Sequence, residues 1–166
     1  MFVRLATRQG FAYLYEAMPK LDLEEFPLTN RTGYPEPFAR AVEGRWYRRL
    51  GPDSGLEDFG VTHVTLAPGA WSSQRHWHED EDEFVVILSG EAVLIEEGSR
   101  VLMQAGDCAS FPKGAANGHC LINESDAPCV LIAIGRKSAS DCHYPDVDLR
   151  VDGPSQTFTR KDRTPY

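Results

Sequence analysis

Short apolar runs separated by turn residues dominate the chain after Arg45. Runs of this length, rich in β-branched and aromatic residues and closely spaced, are typical of an all-β sandwich or barrel. No segment beyond Arg45 keeps a 3.6-residue apolar period over a normal helix length. The predicted strands cover residues 45–50, 59–66, 84–88, 92–96, 100–103, 107–111, 119–122 and 130–134.

Two less regular segments flank these strands. Residues 18–44 are rich in Pro and Gly and show neither a helical nor a strand period in their apolar residues. This composition predicts an irregular wrap. The tail from Lys137 is polar and contains three prolines, which predicts a segment that packs over the barrel or frays. The predicted organisation is an N-terminal extension and wrap over 1–44, a barrel over 45–136 and a tail over 137–166. Met18 opens the more regular text and is a possible alternative translation start.

The run Phe84–Leu88 is apolar at every position. Both faces of such a strand must be covered. One face is expected to form the barrel interior. The other is expected to lie under the N-terminal wrap or against a second subunit.

Composition narrows the classes of partner. A chain of 166 residues with 42% hydrophobic and 25% charged residues is most simply one globular domain. Its net charge of −8 argues against nucleic acid or an anionic membrane as partner. A small anionic ligand is still compatible, because a local cation can outweigh the net field. The sequence holds no apolar run long enough to span a bilayer and no signal-peptide core, so we expect a cytoplasmic protein.

The four cysteines form no C-x-x-C motif. This pattern favours free thiols in a reducing compartment. A cross-strand pair of Cys120 and Cys129 is the alternative, because only a short turn separates them.

His76 and His78 provide the clearest chemical signal. Side chains two residues apart on a strand point to the same face, so the two imidazoles can lie side by side. Glu83 follows at the head of an apolar run. Imidazole and carboxylate donors together suit a divalent metal ion. The alternative is a surface strand with two solvated histidines beside an acidic loop.

The stretch from Gly69 to Gly90 reads G-x(6)-H-x-H-x(4)-E-x(6)-G. It resembles the first signature of the cupins. The family pattern has five residues between the first Gly and His, whereas this chain has six, and the extra residue falls in a loop. The remainder of the signature matches as written.

A second cupin signature follows at Gly106-x(5)-Pro112-x-Gly114. The position at which the family has His holds Asn117 here. His119 comes two residues later, and Asn123 follows it at the H-x(3)-N spacing of the family. We infer a longer turn with His119 as the fourth ligand. In the alternative, Asn117 takes the ligand position and the site keeps three ligands.

The resemblance covers residues 45–136 and implies a double-stranded β-helix, or jelly roll. It also implies one divalent metal ion (Zn, Fe, Ni, Mn or Cu) and a homodimer. The flanking segments are similar to those of small bacterial single-domain cupins, which often carry the label sugar-phosphate isomerase without firm assignment. The implied metal ligands are His76, His78, Glu83 and His119.

Four further residues are weaker candidates. His63 could act as a general base if it faces inward. Asn117 shares a face with His119 and could contact the ligand. Arg75 and Lys113 flank the ligand segments and could hold a carboxylate or phosphate, although Arg75 should point away from its neighbour His76.

The preferred functional hypothesis is a metal-dependent enzyme that isomerises a sugar or hydroxy-carbonyl compound. His63 or a bound water would then move the proton. Dioxygenase chemistry is the alternative and requires a redox-active metal. A non-catalytic protein that binds or senses a small ligand is the third hypothesis, because one fold hosts many functions.

Overall fold

The computed structural model describes residues 20–136 and 139–166, together with the backbone of residues 6–8 and 11–13. Met18 and Lys137 lie outside the described residues, so the alternative start stays a prediction. Within the described chain, short 3-10 turns are the only helical segments, at Leu23–Glu25, Phe38–Val42 and Pro52–Ser54. None of the helices in this part of the chain is long and apolar enough to cross a membrane.

The described strands are short and pair antiparallel throughout. They are β1 (Ala6–Arg8), β2 (Phe11–Tyr13), β3 (Arg45–Arg49), β4 (Gly60–Leu66), β5 (Trp77–His78), β6 (Glu83–Ser89), β7 (Glu91–Glu96), β8 (Ser99–Gln104), β9 (Cys108–Phe111), β10 (Cys120–Ile122), β11 (Cys129–Gly135), β12 (Cys142–Tyr144), β13 (Leu149–Asp152) and β14 (Thr157–Thr159). All eight predicted strands are confirmed to within one residue at each end.

Three sheets build the barrel and its cover. The largest has the order β3-β4-β11-β6-β9, the second β10-β7-β8, and the third β14-β13-β12-β5. The main core lies between the first two, where side chains from both sheets pack together. The fold is therefore an all-β jelly roll: the strand pattern predicts the all-β class, and the resemblance in sequence implies the jelly roll.

Strand β6 buries one face in the core as expected, but its other face is not covered by the described chain. Val85 and Ile87 are buried in the core. Phe84 and Leu88, on the opposite face, are 40% and 48% exposed. The described part of the wrap does not cover them, so a second subunit on this face stays a prediction.

The tail is more regular than its polar composition indicates. It contributes β12, β13 and β14, and β12 pairs with β5 so that Cys142 lies opposite His78. Buried Tyr144 and Leu149 pack with Tyr34 and Phe38 of the wrap in a second small core. The tail and the wrap therefore meet next to the strand that carries the histidines.

The cysteines are free, as their spacing favours. Cys120, Cys129 and Cys142 are buried and Cys108 is exposed, with no disulfide among the four. The alternative of a Cys120–Cys129 bridge is wrong. Both residues are instead packed as small apolar side chains.

Candidate metal centre and its cavity

Four side chains from three segments of the chain converge at one end of the barrel. His76 and His119 lie opposite each other in an antiparallel bridge, with both backbone hydrogen bonds made, at 3.1 and 2.8 Å. His78 belongs to β5, and Glu83 is the first residue of β6. The strand pairing thus brings residues 76 and 119 together although 43 positions separate them in sequence.

One carboxylate oxygen is the centre of the cluster. Glu83 Oε2 lies 2.9 Å from His119 Nε2, 3.4 Å from His78 Nε2 and 3.5 Å from His76 Nε2. Three imidazole nitrogens and a carboxylate thus point at a common place. This N/O donor set is the kind that zinc and other divalent transition metals use.

Neighbouring groups fix the orientation of two imidazoles. The His76 Nδ1 hydrogen bonds with the Gln74 carbonyl oxygen at 2.9 Å, so Nδ1 carries the proton and Nε2 is left as a donor atom. The ring of His119 stacks on Phe111 with a centroid distance of 3.5 Å, and Tyr144 stacks on His76 at 5.7 Å. His119 Nδ1 is buried without a hydrogen-bond partner in the described chain, so the stacking on Phe111 and the Nε2 contact with Glu83 orient this ring.

The electrostatics of the cluster favour an ionised carboxylate and two neutral rings. Burial alone would raise the pKa of Glu83, but hydrogen bonds with His119 and His76 hold it well below its ordinary value. Burial lowers the pKa of His78 to about 4 and also lowers that of His119. At the third ring, burial lowers the pKa of His76, but the hydrogen bond and charge of Glu83, together with the Gln74 carbonyl, outweigh burial and leave that pKa raised. Neutral imidazoles and an ionised carboxylate are the protonation states that metal ligands require. A divalent ion would displace the proton from His76 on binding. The residues therefore fit a divalent ion.

A buried thiol lies beside the cluster. The Cys142 sulfur is within 4.8 Å of ligand atoms of His76 and His78. Burial raises its pKa to about 12, so at neutral pH it is a thiol rather than a thiolate. We therefore leave it outside the ligand set.

A cavity of about 350 Å³ opens onto the cluster. This volume is at the lower end of the range for small-molecule sites. His76, Glu83 and His119 lie in its lining, which is otherwise apolar on the core side and polar towards the wrap. The polar side includes Arg31, Thr32, Tyr34, Arg45, Tyr47, Arg49, Thr62, Ser72 and Ser73.

The structure brings His119, and not Asn117, into the cluster. Asn117 accepts a hydrogen bond from the Glu97 amide at 2.9 Å and donates one to Glu96 Oε1 at 3.1 Å. These bonds tie the longer turn to the end of β7. Asn117 lines a second, smaller cavity of about 230 Å³ together with His78, Glu83 and His119, so it borders the cluster without reaching the main cavity.

His63 does not face the cavity. In β4, Thr62 and Val64 line the cavity, so the residue between them points to the outer face. There, burial and the nearby Arg48 lower the pKa of His63. The suggestion that His63 is a general base is therefore not supported by its position.

The two cations suggested by the sequence are engaged elsewhere. Arg75 is buried and pairs with Asp146 at 2.6 Å and with Glu97 at 3.0 Å, pointing away from the cavity as its neighbour relationship with His76 implies. Lys113 pairs with Asp80 at 2.5 Å on the surface. Neither residue is available to hold a ligand in the cavity.

The cations that do line the cavity were not singled out from the sequence. Arg45 and Arg49 alternate with Trp46 and Arg48 in a strand that the sequence predicts. The alternation of side chains along this strand follows from the sequence, but it does not predict which of the two faces lines the cavity. Arg31 and Tyr34 lie in the wrap, where the sequence has no helical or strand period from which an inward face could be predicted.

Comparison with known proteins identifies the fold family. The cupin-domain family model matches residues 62–135. A solved sugar phosphate isomerase of the cupin superfamily from Silicibacter pomeroyi DSS-3 is 40% identical, with a TM-score of 0.83 over 89% of this chain and 96% of that chain. No curated protein matches this sequence at a significant level.

More distant structures share the architecture. A provisionally named sugar phosphate isomerase from Acidithiobacillus ferrooxidans is 26% identical, with a TM-score of 0.66 over 74% of this chain and 80% of that chain. A Cupin 2 conserved barrel domain protein from Salinispora arenicola CNS-205 is 24% identical, with a TM-score of 0.54 over 75% of this chain and 92% of that chain. The last similarity is one of fold alone.

Proposed function

The chain belongs to the cupin superfamily, and we propose that it is a metal-dependent enzyme that isomerises a sugar or a related hydroxy-carbonyl compound. The observation that carries this proposal is the meeting of three imidazoles within 3.5 Å of one Glu83 oxygen at the wall of a cavity of about 350 Å³. The 40% identical protein named as a sugar phosphate isomerase supports the choice of reaction class.

The proposed ligands are His76, His78, Glu83 and His119. When bound there, a divalent ion supplies a Lewis acid that polarises a carbonyl oxygen and lowers the pKa of an adjacent hydroxyl. Three neutral imidazoles and one carboxylate leave part of its charge unneutralised, which favours oxygen ligands from a substrate.

Tyr34 is the proposed hydrogen-bond donor to a substrate oxygen. Burial raises its pKa to about 12, so its phenol keeps the proton at neutral pH. Its hydroxyl donates to the Tyr144 oxygen at 3.5 Å and accepts from the Gln74 amide at 3.3 Å, contacts that hold the ring at the cavity wall. The bond to Tyr144 is long, so a substrate carbonyl or hydroxyl oxygen can replace Tyr144 as the acceptor of the Tyr34 proton.

Proton transfer at carbon is assigned to water in the cavity. His63 faces outward, and Glu83 is a weak base because its pKa is held low. Among the described lining residues, no other carboxylate is present, and the imidazoles belong to the cluster. Of the two proton carriers considered from the sequence, water is the one that fits.

Metal content tests the first half of the proposal. Protein purified without added metal should contain one divalent ion per chain, and His76→Ala with His78→Ala should abolish binding. His63→Ala is the matched control, because it removes an imidazole from the outer face and should retain the ion. Full metal occupancy in the double variant would refute the assigned ligand set.

Turnover tests the second half. Wild-type protein is incubated in D₂O with a panel of aldoses, ketoses and their phosphates, and isomer formation with deuterium incorporation next to the carbonyl is followed by NMR. Substrate-dependent oxygen uptake by an iron-loaded sample would instead identify a dioxygenase. Tight ligand binding without turnover would identify a binding protein.

A further inference from the structure

Strand β3 lines one wall of the cavity with an Arg-Tyr-Arg series. Arg45, Tyr47 and Arg49 share one face of the strand because alternate residues point the same way, and all three line the cavity. Their partners across the strand pair are Leu66, Val64 and Thr62 of β4, respectively. The series therefore lies in the same enclosure as the histidine cluster.

The charges of these two arginines are not neutralised by the described protein. The two buried arginines of the described chain have carboxylate partners, Arg75 with Asp146 and Arg150 with Asp141. Neither Arg45 nor Arg49 forms an ion pair with a described carboxylate. In a protein of net charge −8, a cavity wall with uncompensated guanidinium groups is a local exception.

Arg45 also keeps an unused donor. Its Nη1 donates to the Ser72 carbonyl oxygen at 2.6 Å, which fixes one side of the guanidinium. Its Nε is buried and has no hydrogen-bond partner among the described residues. A buried charged donor without a partner costs free energy, and a negative charge next to the guanidinium would offset part of that cost.

The ring of Tyr47 contacts both arginines. The guanidinium carbons of Arg45 and Arg49 lie 5.5 and 5.7 Å from the centre of its ring. Its hydroxyl donates to the Arg31 carbonyl oxygen at 3.0 Å and so ties the wrap to the strand. Arg31 lines the same cavity and adds a third positive charge to this side.

We infer that Arg45 and Arg49, organised by Tyr47 and supplemented by Arg31, bind the phosphate group of a phosphorylated substrate. The inference rests on the proposed function for the role of the metal cluster, but the anion site itself does not require turnover. A phosphate monoester carries up to two negative charges and several acceptor oxygens, which suits multiple guanidinium donors better than a single carboxylate does. Asp53 lines the adjoining outer groove with Arg31 and Arg49, and it limits the anion site to the inner side.

The test measures binding of inorganic phosphate to the full chain, with metal removed by chelation so that phosphate cannot bind an ion. Titration calorimetry at low ionic strength should give saturable binding to the wild type. Arg45→Gln and Arg49→Gln should each weaken it at least about tenfold, because each removes a charge-assisted donor. Arg49 is exposed, so its variant should fold normally and keeps the test valid if Arg45→Gln does not.

Arg48→Gln is the matched control. It removes the same charge from the opposite face of the same strand, where Arg48 pairs with Glu24, and should leave phosphate affinity within about twofold of wild type. Absence of saturable phosphate binding, or unchanged affinity in Arg49→Gln, would overturn the inference. Acetate binding as tightly as phosphate would overturn the choice of phosphate in favour of a carboxylate.

The anion site and the proposed metal-dependent function can be refuted independently of each other. The metal cluster is tested by the metal content of the double variant His76→Ala with His78→Ala, whereas phosphate binding is measured on metal-free wild type and does not depend on that result. Loss of phosphate binding in Arg49→Gln with unchanged metal content would support the anion site whatever reaction the protein catalyses.

Discussion

At the scale of the residue, Glu83 determines the character of the cavity. One of its oxygens lies within 3.5 Å of the Nε2 atoms of three histidines, two from the segment of β5 and one from the segment before β10. Their rings are kept in place by different means: a carbonyl for His76 and a phenyl ring for His119. Such support keeps donor atoms aligned and is a usual requirement for tight metal binding.

The identity of the fourth ligand can be tested by single substitutions. His119→Ala should lower metal affinity by more than about tenfold, because it removes a donor atom from the cluster. Asn117→Ala should retain the metal, because the Asn117 amide is engaged with Glu96 and Glu97 outside the main cavity. Metal titration of both variants checks this, and the opposite ranking would assign the ligand to Asn117.

The low pKa of His78 predicts acid sensitivity of the metal-free protein. Its pKa is about 4 in the folded state, mainly through burial, and about 6.5 in an unfolded chain. The unfolded state therefore binds the proton more readily, and the stability due to neutral His78 is complete above about pH 6.5 and is lost as pH falls towards 4. The loss is at most about 1.4 kcal/mol per pH unit.

Urea unfolding of chelator-treated protein between pH 7 and pH 4 measures this effect. His78→Gln should show a shallower loss of stability over that window than the wild type. Equal slopes for the two proteins would show that His78 does not carry the acid sensitivity.

At the scale of the element, strand pairing decides which side chains meet. Strand β12 from the tail pairs with β5, and this places Tyr144 against His76. Strand β3 presents its Arg-Tyr-Arg face to the same cavity. The wrap closes the remaining side through Tyr34 and Phe38, which pack against the tail. Elements outside the central barrel thus complete the site.

The tail should therefore contribute to global stability. Leu149 is fully buried in the second core, so Leu149→Ala should destabilise the protein by about 3 kcal/mol through lost burial and a residual cavity. Leu102→Ala is the matched control, since Leu102 is 52% exposed on β8 and should cost less than about 0.5 kcal/mol. Urea unfolding gives both values, and equal effects would mean that the tail frays rather than packs.

At the scale of the whole molecule, the outer face of the largest sheet is the surface available for self-association. Phe59, Phe84 and Leu88 are between 40% and 48% exposed, although isolated exposed apolar residues are common in monomers. Apolar side chains that are grouped on one sheet face favour an interface. The homodimer expected from the sequence stays a prediction, and this face is the one on which we expect it to form.

Light scattering combined with size-exclusion chromatography tests that expectation. The wild type should elute with twice the mass of the chain, and Phe84→Glu should shift it towards the monomer by placing a charge in the interface. Val101→Glu, at a residue 48% exposed on β8, is the control and should leave the mass unchanged. A monomeric wild type would contradict the prediction.

The sequence by itself determined the barrel strands and the histidine motif, because both depend on local periods. Short apolar runs between turn residues defined the eight strands. The H-x-H-x(4)-E spacing placed the two histidines on one face of a strand and Glu83 at the start of the next. Gly90, which closes that motif, has a positive φ of 72°, and a side chain there would meet the Pro128 carbonyl oxygen. The sequence alone therefore places a glycine at this turn, and the structure supplies the physical reason for it.

Only the tertiary structure decided what surrounds the histidines. His119 rather than Asn117 joins the cluster because the longer turn is tied back to β7 by Asn117 itself. His63 points outward and Arg45 inward because the packing of sheets, not the alternation within a strand, chooses which face is buried. The tail, polar in composition, forms strands because pairing with β5 and packing on the wrap supply the contacts that its own sequence lacks. Long-range contacts of this kind leave no local period in the chain.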